Sequence, residues 1–118
     1  GDAAHPMYPI GSNGASQAIL DAGVLTRETR AHGLTPDALA SYEAERNPAT
    51  ARIVLANRAN GPEQVMQMVE ERASYGYERI EDVLSIEELE NAASGYKRLA
   101  GFDRETLNNR PPIVEVTP

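Results

Sequence analysis

The chain carries several helix stop signals, each followed by a helix start, and this limits its fold to a series of separate helices. Glycine follows a last helical turn without strain, and a capping residue or a proline at the first helical position begins the next helix. The signals are Gly33 with Thr35-Pro36, Gly61-Pro62, Ser85 with Glu88 in a capping-box pattern, and Gly101. The sequence therefore predicts about four helices, at residues 12–31, 35–60, 62–73 and 85–101.

Apolar spacing supports the first and the last of these helices. The first helix shows a narrow stripe of small side chains, which is expected to be buried and to permit the close approach of a neighbouring element. Its members are Ala15, Ala18, Ala22 and Leu25, joined by Ile19. The last helix has the clearest amphipathic pattern, formed by Ile86, Leu89, Ala93, Tyr96 and Ala100. The fold class predicted for this chain is mainly α.

Two features depart from a simple helical pattern. Pro48 lies inside the second helix, lacks a backbone N–H and restricts Asn47, so a kink or a break is expected there. After one further helical turn at residues 104–107, residues 111–118 are predicted to be an extended tail. Within that tail, residues 113–116 form a short strand only where a sheet edge is available.

Composition and charge narrow the class of protein. The 118 residues suit one small domain, but with no Trp and a single Phe the core is thin, so contacts with a missing part or with another copy are expected. The net charge of −7 argues against a nucleic-acid partner. The sequence has no cysteine, no signal peptide and no long apolar run, which predicts a cytoplasmic protein without a membrane partner.

The charged and imidazole side chains give little sign of a metal or acid–base site. His5 and His32 are far apart in sequence and lack carboxylates in ligand spacing, so no metal site is predicted. His5 is expected to pack or to brace its loop. Arg46 and its charged neighbours in the second helix are interpreted as a solvated face with intrahelical pairs.

The first fourteen residues contain the features that point to a ligand site. Gly1 lets the backbone approach a ligand where a Cβ would collide, and Asp2 offers a carboxylate that accepts hydrogen bonds from sugar-like hydroxyls. Pro9 restricts the loop that follows. Residues 11–14 present backbone N–H groups where the first helix begins, and such donors suit an electron-rich ligand edge.

This opening resembles the GDAAH-type second flavin motif of the single-component, FAD-dependent aromatic hydroxylases, the family of p-hydroxybenzoate and salicylate hydroxylases. Residues 11–22 are most similar to the branch that contains the phenazine-modifying monooxygenase, and similarity continues through residues 42–46 to 99–107. The resemblance implies that residues 1–118 are the C-terminal portion of a larger α/β fold that binds FAD and NAD(P). Residues 1–14 would be its flavin-binding loop.

The resemblance also implies roles for individual residues. Asp2, beside Gly1, would bind the ribityl chain of FAD, and Pro9 would lie near the flavin ring and the substrate. Met7 and Tyr8 would line the aromatic pocket or simply pack the loop. The backbone amides of one turn would lie against the N1–C2=O edge of the flavin, where negative charge gathers on reduction. That turn consists of Gly11, Ser12, Asn13 and Gly14. No catalytic residue is assigned within the chain.

In the family, NADH or NADPH reduces the flavin, and O2 then forms a C4a-hydroperoxide that hydroxylates an aromatic substrate. The Gly-x-Gly-x-x-Gly dinucleotide-binding region that would complete the FAD site is absent from this sequence. The chain alone is therefore expected to be an inactive fragment of the enzyme. The alternative, from a different class, is a free-standing helical module that interacts with itself and has no catalytic activity.

Overall fold

The chain folds into consecutive helices. The computed structural model describes residues 1–115, apart from the side chain of Pro62. Its α-helices are α1 (Gly14–His32), α2 (Pro36–Arg58), α3 (Gln64–Ala73), α4 (Ile86–Ala100) and α5 (Arg104–Asn109). Short 3-10 turns at Ile10–Ser12, Gly61–Glu63 and Ile80–Asp82 precede α1, α3 and α4. Across residues 1–115 there is no β-strand, which confirms the mainly α fold class.

The described part of the C-terminal tail, residues 111–115, contains no strand. Residues 111–115 form no strand, because no sheet edge exists in the described part of the chain to pair with them. Val116 and the two residues after it lie outside the described range, so the strand predicted for residues 113–116 is not found where the structure describes the chain. The further turn predicted at 104–107 extends to Asn109 as α5.

Side-chain caps begin α2 and α4 at the residues that the sequence signals indicate. The Thr35 hydroxyl accepts the Ala38 N–H at 3.4 Å at the start of α2. At the start of α4, Ser85 Oγ accepts the Glu88 N–H at 3.2 Å, and the Glu88 carboxylate accepts the Ser85 N–H at 2.9 Å. The capping box is therefore present in full. From α3, Arg72 donates to Glu88 at 2.8 Å and ties the two helices together.

Proline does not break α2, which is continuous from Pro36 to Arg58 with Pro48 inside it. The prediction was a kink or a break, and the break is wrong for a physical reason. One missing N–H removes one hydrogen bond, whereas packing against α1 holds the rest of the turn. Thr50 adds local support, because its hydroxyl donates to the Arg46 carbonyl at 2.9 Å and lies 3.2 Å from the Asn47 carbonyl.

The buried face of α1 differs from the predicted one. Gln17, Asp21 and Val24 are buried, at helical steps of four and three residues. The stripe of small residues is not buried within residues 1–115, and Ile19 in its middle is 72% exposed. Polar groups on α1 find partners on α2, and this decides which face turns inward. Apolar periodicity alone does not contain that information.

The core is small and the shape is elongated. Its buried apolar side chains within the described residues are Val24, Ala38, Ile53, Leu84 and Ala100. The chain measures 60 × 29 × 17 Å with a radius of gyration of 18.2 Å. A compact domain of similar length has a radius of gyration of about 13 Å. Large apolar side chains remain exposed as a result, including Leu34 at 95% and Met66 at 70%.

A tyrosine from α4 fixes the loop before α1. Tyr96 donates its hydroxyl hydrogen to Asn57 Oδ1 at 2.6 Å and accepts a hydrogen bond from Asn13 Nδ2 at 3.0 Å. Its ring lies against Gly11, where an added Cβ would approach it to 2.5 Å. Gly11 also has φ of +72°, a conformation that favours glycine. The glycine at this position is thus required by both conformation and space.

We expect Gly11→Ala to lower the free energy of unfolding by about 2 kcal/mol or more, because a left-handed backbone strains alanine by roughly 1–2 kcal/mol and the Tyr96 ring must move. Urea unfolding of the 118-residue chain, followed by circular dichroism, measures the change. Gly14→Ala is the matched control, since a Cβ at Gly14 meets no atom within 4 Å. Equal stabilities for the two variants would contradict the close packing at Gly11.

Candidate functional site

The chain opens with a tight turn that presents Asp2. The Gly1 carbonyl accepts the N–H groups of Ala4 and His5, at 2.9 and 3.0 Å. Asp2 lies between these fixed points, and its side chain is exposed. Gly1 packs against the surface of α1, since a Cβ added at Gly1 would be 3.9 Å from the Cβ of Ala18. The turn therefore holds a free carboxylate at the surface of α1.

A buried carboxylate on α1 anchors this turn. Asp21 is 5% exposed, and its Oδ2 lies 2.6 Å from the Gly1 nitrogen and 2.5 Å from His5 Nε2. Its Oδ1 accepts a hydrogen bond from Arg46 Nε at 2.8 Å. Contacts from the opening turn, α1 and α2 thus converge on one side chain.

Arg46 extends the network across the fold. Its Nη2 donates to Gln17 Oε1 at 2.6 Å, and Gln17 Nε2 donates to the carbonyl of Ala100, the last residue of α4, at 3.2 Å. Arg46 is only 7% exposed, so its interpretation as part of a solvated face with intrahelical pairs is wrong. Its neighbour Glu45 also pairs between helices, with Arg27 of α1. A spacing of charges that suits a surface therefore serves an interhelical contact here.

The electrostatics of the cluster favour the ionised form of Asp21. Burial raises its pKa, but hydrogen bonds from the Gly1 amino group, Arg46 and His5 outweigh that effect and bring the pKa to about 2. Nearby, burial together with the Asp21 charge raises the pKa of Tyr42, while Arg46 opposes the rise. The site thus keeps one carboxylate charged and compensated at neutral pH.

The contact with Asp21 also identifies which ring nitrogen of His5 carries a proton. An ionised carboxylate oxygen 2.5 Å from Nε2 requires a proton on that nitrogen, so Nε2–H donates to Asp21. His5 is 8% exposed, and within residues 1–115 no partner reaches its Nδ1. A cavity of about 400 Å³ borders His5 and α2, with Tyr42 and Thr50 in its wall.

The prediction that His5 packs or braces its loop is confirmed, because its side chain is buried and bonded to Asp21 of α1.

The N-terminus of α1 has unoccupied space beside it, on the helix face that also carries the opening turn. Its capping residue, Asn13, makes no side-chain bond to the helix end, and the Nδ2 group of Asn13 donates to the Tyr96 hydroxyl. Gly14 and Ala18 are four residues apart and so share one face, about one turn from each other. Gly1 covers Ala18, whereas the space over Gly14 is empty to 4 Å. The Asp2 turn and the open helix end are therefore neighbours.

The remaining predicted site residues lie in the connecting loop. Pro9 and Tyr8 are exposed, Tyr8 by 58%, and Met7 is half-buried. The Ser12 N–H donates to the Pro9 carbonyl at 3.2 Å within the 3-10 turn, so this amide is engaged inside the loop. Gly11 faces Tyr96, as described above. The structure thus separates the turn into an engaged part and an open end at Gly14.

A groove of about 750 Å³ runs beside this loop toward α5. Its walls include Asn13 and Ser16 on one side and Tyr96, Lys97 and Arg104 on the other. The wall also includes the carboxylate of Asp103, so its two cationic side chains outnumber one anionic side chain beside an uncapped helix end. Both features favour negatively charged or electron-rich groups.

The described residues contain neither a metal cluster nor a membrane-spanning helix. No three His, Asp or Glu side chains of residues 1–115 come together as a set that would hold a metal ion. None of the helices there combines the length and the apolar character needed to cross a bilayer.

Comparison with known proteins gives a consistent group of relatives. The chain is 60% identical over 58 residues to a phenazine 1,6-dicarboxylic acid hydroxylase of Lysobacter antibioticus, an alignment that covers 49% of this chain and 14% of the relative. Two 3-amino-4-hydroxybenzoate 2-monooxygenases of Streptomyces platensis are 39% and 37% identical over 101 residues, which is 80% of this chain and 26% of each relative.

The chain is related to the aromatic hydroxylases. This confirms the resemblance that the opening motif indicated. The chain spans only about a seventh to a quarter of the length of these relatives. No protein-family model and no solved structure matches it.

The network itself was missed by sequence reasoning, although one signal was present. Gln17, Asp21 and Val24 follow helical spacing, so a polar pair and an apolar residue share a face of α1. Such a face is usually solvated, and only the partner on α2 shows that it is buried. Arg46 gave no local signal, since its contacts are 25 and 29 residues away in sequence.

Acid should lower the free energy of unfolding of this chain, because it protonates Asp21. The folded pKa, about 2, lies below the ordinary value of 3.8, so the stabilisation is complete above the ordinary value and is lost as the pH falls toward 2. The difference corresponds to roughly 2 kcal/mol. We expect urea unfolding between pH 7 and 2 to show a stability advantage over Asp21→Asn that shrinks below about pH 4.

Asp2→Asn is the matched control for this titration, because it neutralises an exposed carboxylate outside the network. Its stability should follow that of the unmodified chain over the same pH range. A constant gap between the unmodified chain and Asp21→Asn down to pH 2 would show that the Asp21 carboxylate is not held in its charged form.

Proposed function

We propose that this chain forms the flavin-facing part of an FAD-dependent monooxygenase that uses NAD(P)H and O2 to hydroxylate an aromatic substrate. The relatives support this reaction class, since one is named as a phenazine dicarboxylic acid hydroxylase and two as aminohydroxybenzoate monooxygenases. The opening motif supports the assignment of the cofactor to this region. The preceding part of such an enzyme would supply the dinucleotide-binding half of the site.

The observation that carries the proposal is the position of the opening turn. Asp2 is exposed on a turn whose ends are fixed, and the turn rests on α1 about one helical turn from the open space over Gly14. A ribityl chain needs a hydrogen-bond acceptor, and an electron-rich ring edge needs N–H donors a short distance away. Asp2 stands on a turn that rests against α1, and the N–H donors lie at the start of the same helix, so the residues present fit the cofactor.

When bound, FAD would supply the redox and oxygen chemistry. Asp2 would accept hydrogen bonds from the ribityl hydroxyls and so orient the cofactor. The N–H groups at the start of α1 would stabilise negative charge at the ring edge by roughly 0.3–1 kcal/mol. Pro9, Met7 and Tyr8 would border the ring and an aromatic substrate, and their apolar surfaces would exclude water there.

Half of a site should retain little cofactor. One hydrogen bond to a charged group contributes about 1.5–3 kcal/mol and a helix end about 1 kcal/mol, whereas micromolar affinity needs about 8 kcal/mol. We therefore expect the purified 118-residue chain to be colourless, as measured by its visible absorption spectrum. Stoichiometric bound flavin in such a preparation would contradict the half-site interpretation.

The complete flavoprotein that contains this chain gives a direct test. We expect Asp2→Ala to weaken FAD binding by roughly tenfold or more, because a charge-assisted hydrogen bond is lost. Gly14→Ala should also weaken it, since the added methyl group enters the space that the ring edge would occupy. Equilibrium titration of the apoprotein with FAD, followed by flavin fluorescence, measures both effects.

The isolated chain provides the matched control for Gly14→Ala. The added Cβ meets nothing there within 4 Å, so the stability of that chain should be nearly unchanged. A loss of FAD affinity without a loss of stability would then report on the ligand alone. Unchanged FAD binding in both Asp2→Ala and Gly14→Ala would refute the flavin site at this turn.

The structure also favours a second candidate, a helical module that pairs with itself. The support is the elongated shape together with exposed apolar side chains on different helices, such as Ile19, Leu55 and Met66. Monomeric proteins rarely leave large apolar patches open to water. A concentration-dependent dimer of the isolated chain in analytical ultracentrifugation would favour this candidate, and a monomer at all concentrations would oppose it.

A further inference from the structure

We infer that His5 is a positioning residue for the flavin cofactor, acting through Asp21 to hold the turn that carries Asp2. The inference rests on the proposed function and adds to it a residue that does not itself touch the cofactor. Its basis is the geometry of the opening turn, where one buried side chain and one buried carboxylate determine where an exposed carboxylate stands.

The turn that carries Asp2 is tied to Asp21 at its far end. His5 Nε2 lies 2.5 Å from Asp21 Oδ2. The Gly1 carbonyl closes the turn by accepting the N–H groups of Ala4 and His5. The position of Asp2 therefore follows from the attachment of His5 to Asp21.

His5 is the side chain that holds the loop down. Among residues 1–12 it is the only one classed as buried, while Asp2, Ala3 and Ala4 before it are exposed. Loss of its contact would leave the opening loop with little buried surface to order it. A loop that samples several positions pays an ordering cost when it binds a ligand, and affinity falls accordingly.

Asp21 is itself held in place from the other side. Arg46 Nε binds its Oδ1 at 2.8 Å, and Gln17 holds the guanidinium of Arg46 at 2.6 Å. The carboxylate therefore cannot rotate to follow a mobile loop without breaking a buried ion pair. His5 thus binds to a fixed acceptor, which is the condition for a side chain to act as a positioning device.

A double-mutant cycle in the complete flavoprotein tests this role. The measured quantity is the dissociation constant for FAD in Asp2→Ala, in His5→Leu and in the double variant. We expect His5→Leu alone to weaken FAD binding by about tenfold, and by less than twofold when Asp2 is already alanine. The reason is that a residue acting only through the Asp2 carboxylate has nothing left to position.

Conservative replacements distinguish the role of His5 Nε2 from that of Nδ1. Glutamine places an amide N–H near the position of Nε2, so His5→Gln should restore most of the affinity if the bond to Asp21 is what matters. Asparagine is too short to reach Asp21, so His5→Asn should behave like His5→Leu. His5→Asn also serves as the loss variant should His5→Leu not fold.

Leu84→Ala is the control for general destabilisation, since Leu84 is 1% exposed in the connection before α4 and lies outside the network. Any effect of Leu84→Ala on FAD affinity should be the same with and without Asp2→Ala. Multiplicative effects of Asp2→Ala and His5→Leu, or failure of His5→Gln to restore binding, would overturn the inference. Unchanged FAD binding in both Asp2→Ala and Gly14→Ala would instead overturn the proposed function.

Discussion

The arrangement of this chain depends on one buried ion pair, between Asp21 of α1 and Arg46 of α2. A buried carboxylate without partners is costly, and each of its oxygens here has a donor. The pair therefore fixes the rotation of α1 relative to α2 more than it adds net stability. With few apolar side chains in the core, this polar contact determines which faces of the helices meet.

Burying the polar face of α1 has a consequence for the opposite side of the helix. The small-residue stripe of Ala15 and Ala22 faces outward with Ile19, and the opening turn rests beside it on Ala18. A helix that presents small side chains allows a neighbouring backbone or ligand to approach closely. The exposed stripe thus leaves room for such a close neighbour, and within residues 1–115 no sheet covers it.

Sequence reasoning located the elements of this structure better than the contacts between them. Helix starts at Thr35 and Ser85 were predictable, because caps depend on residues three positions apart in sequence. The buried face of α1 was not predictable, since Asp21 is buried only because Arg46 reaches it from another helix. The break predicted at Pro48 failed for a similar reason, because the packing of α2 outweighed the local preference for a break.

The candidate site shows the same division. Asp2 and the glycine-punctuated turn were recognisable, because they form one continuous motif. The roles within that turn were not, since Tyr96 fills the space at Gly11 and leaves Gly14 open. His5 was expected to brace the loop, but its partner on α1 could not be named from sequence, where the two residues stand 16 positions apart.

The attachment of α4 to α1 has a consequence for the order in which the chain opens. Two hydrogen bonds join these helices, Asn13 to Tyr96 and Gln17 to the Ala100 carbonyl, and each spans 83 residues of sequence. Contacts over such long intervals are entropically costly to close, whereas α1 and α2 meet through a connection of a few residues. We therefore expect amide hydrogens of α4 to exchange with solvent through a partial unfolding that leaves the α1–α2 hairpin intact.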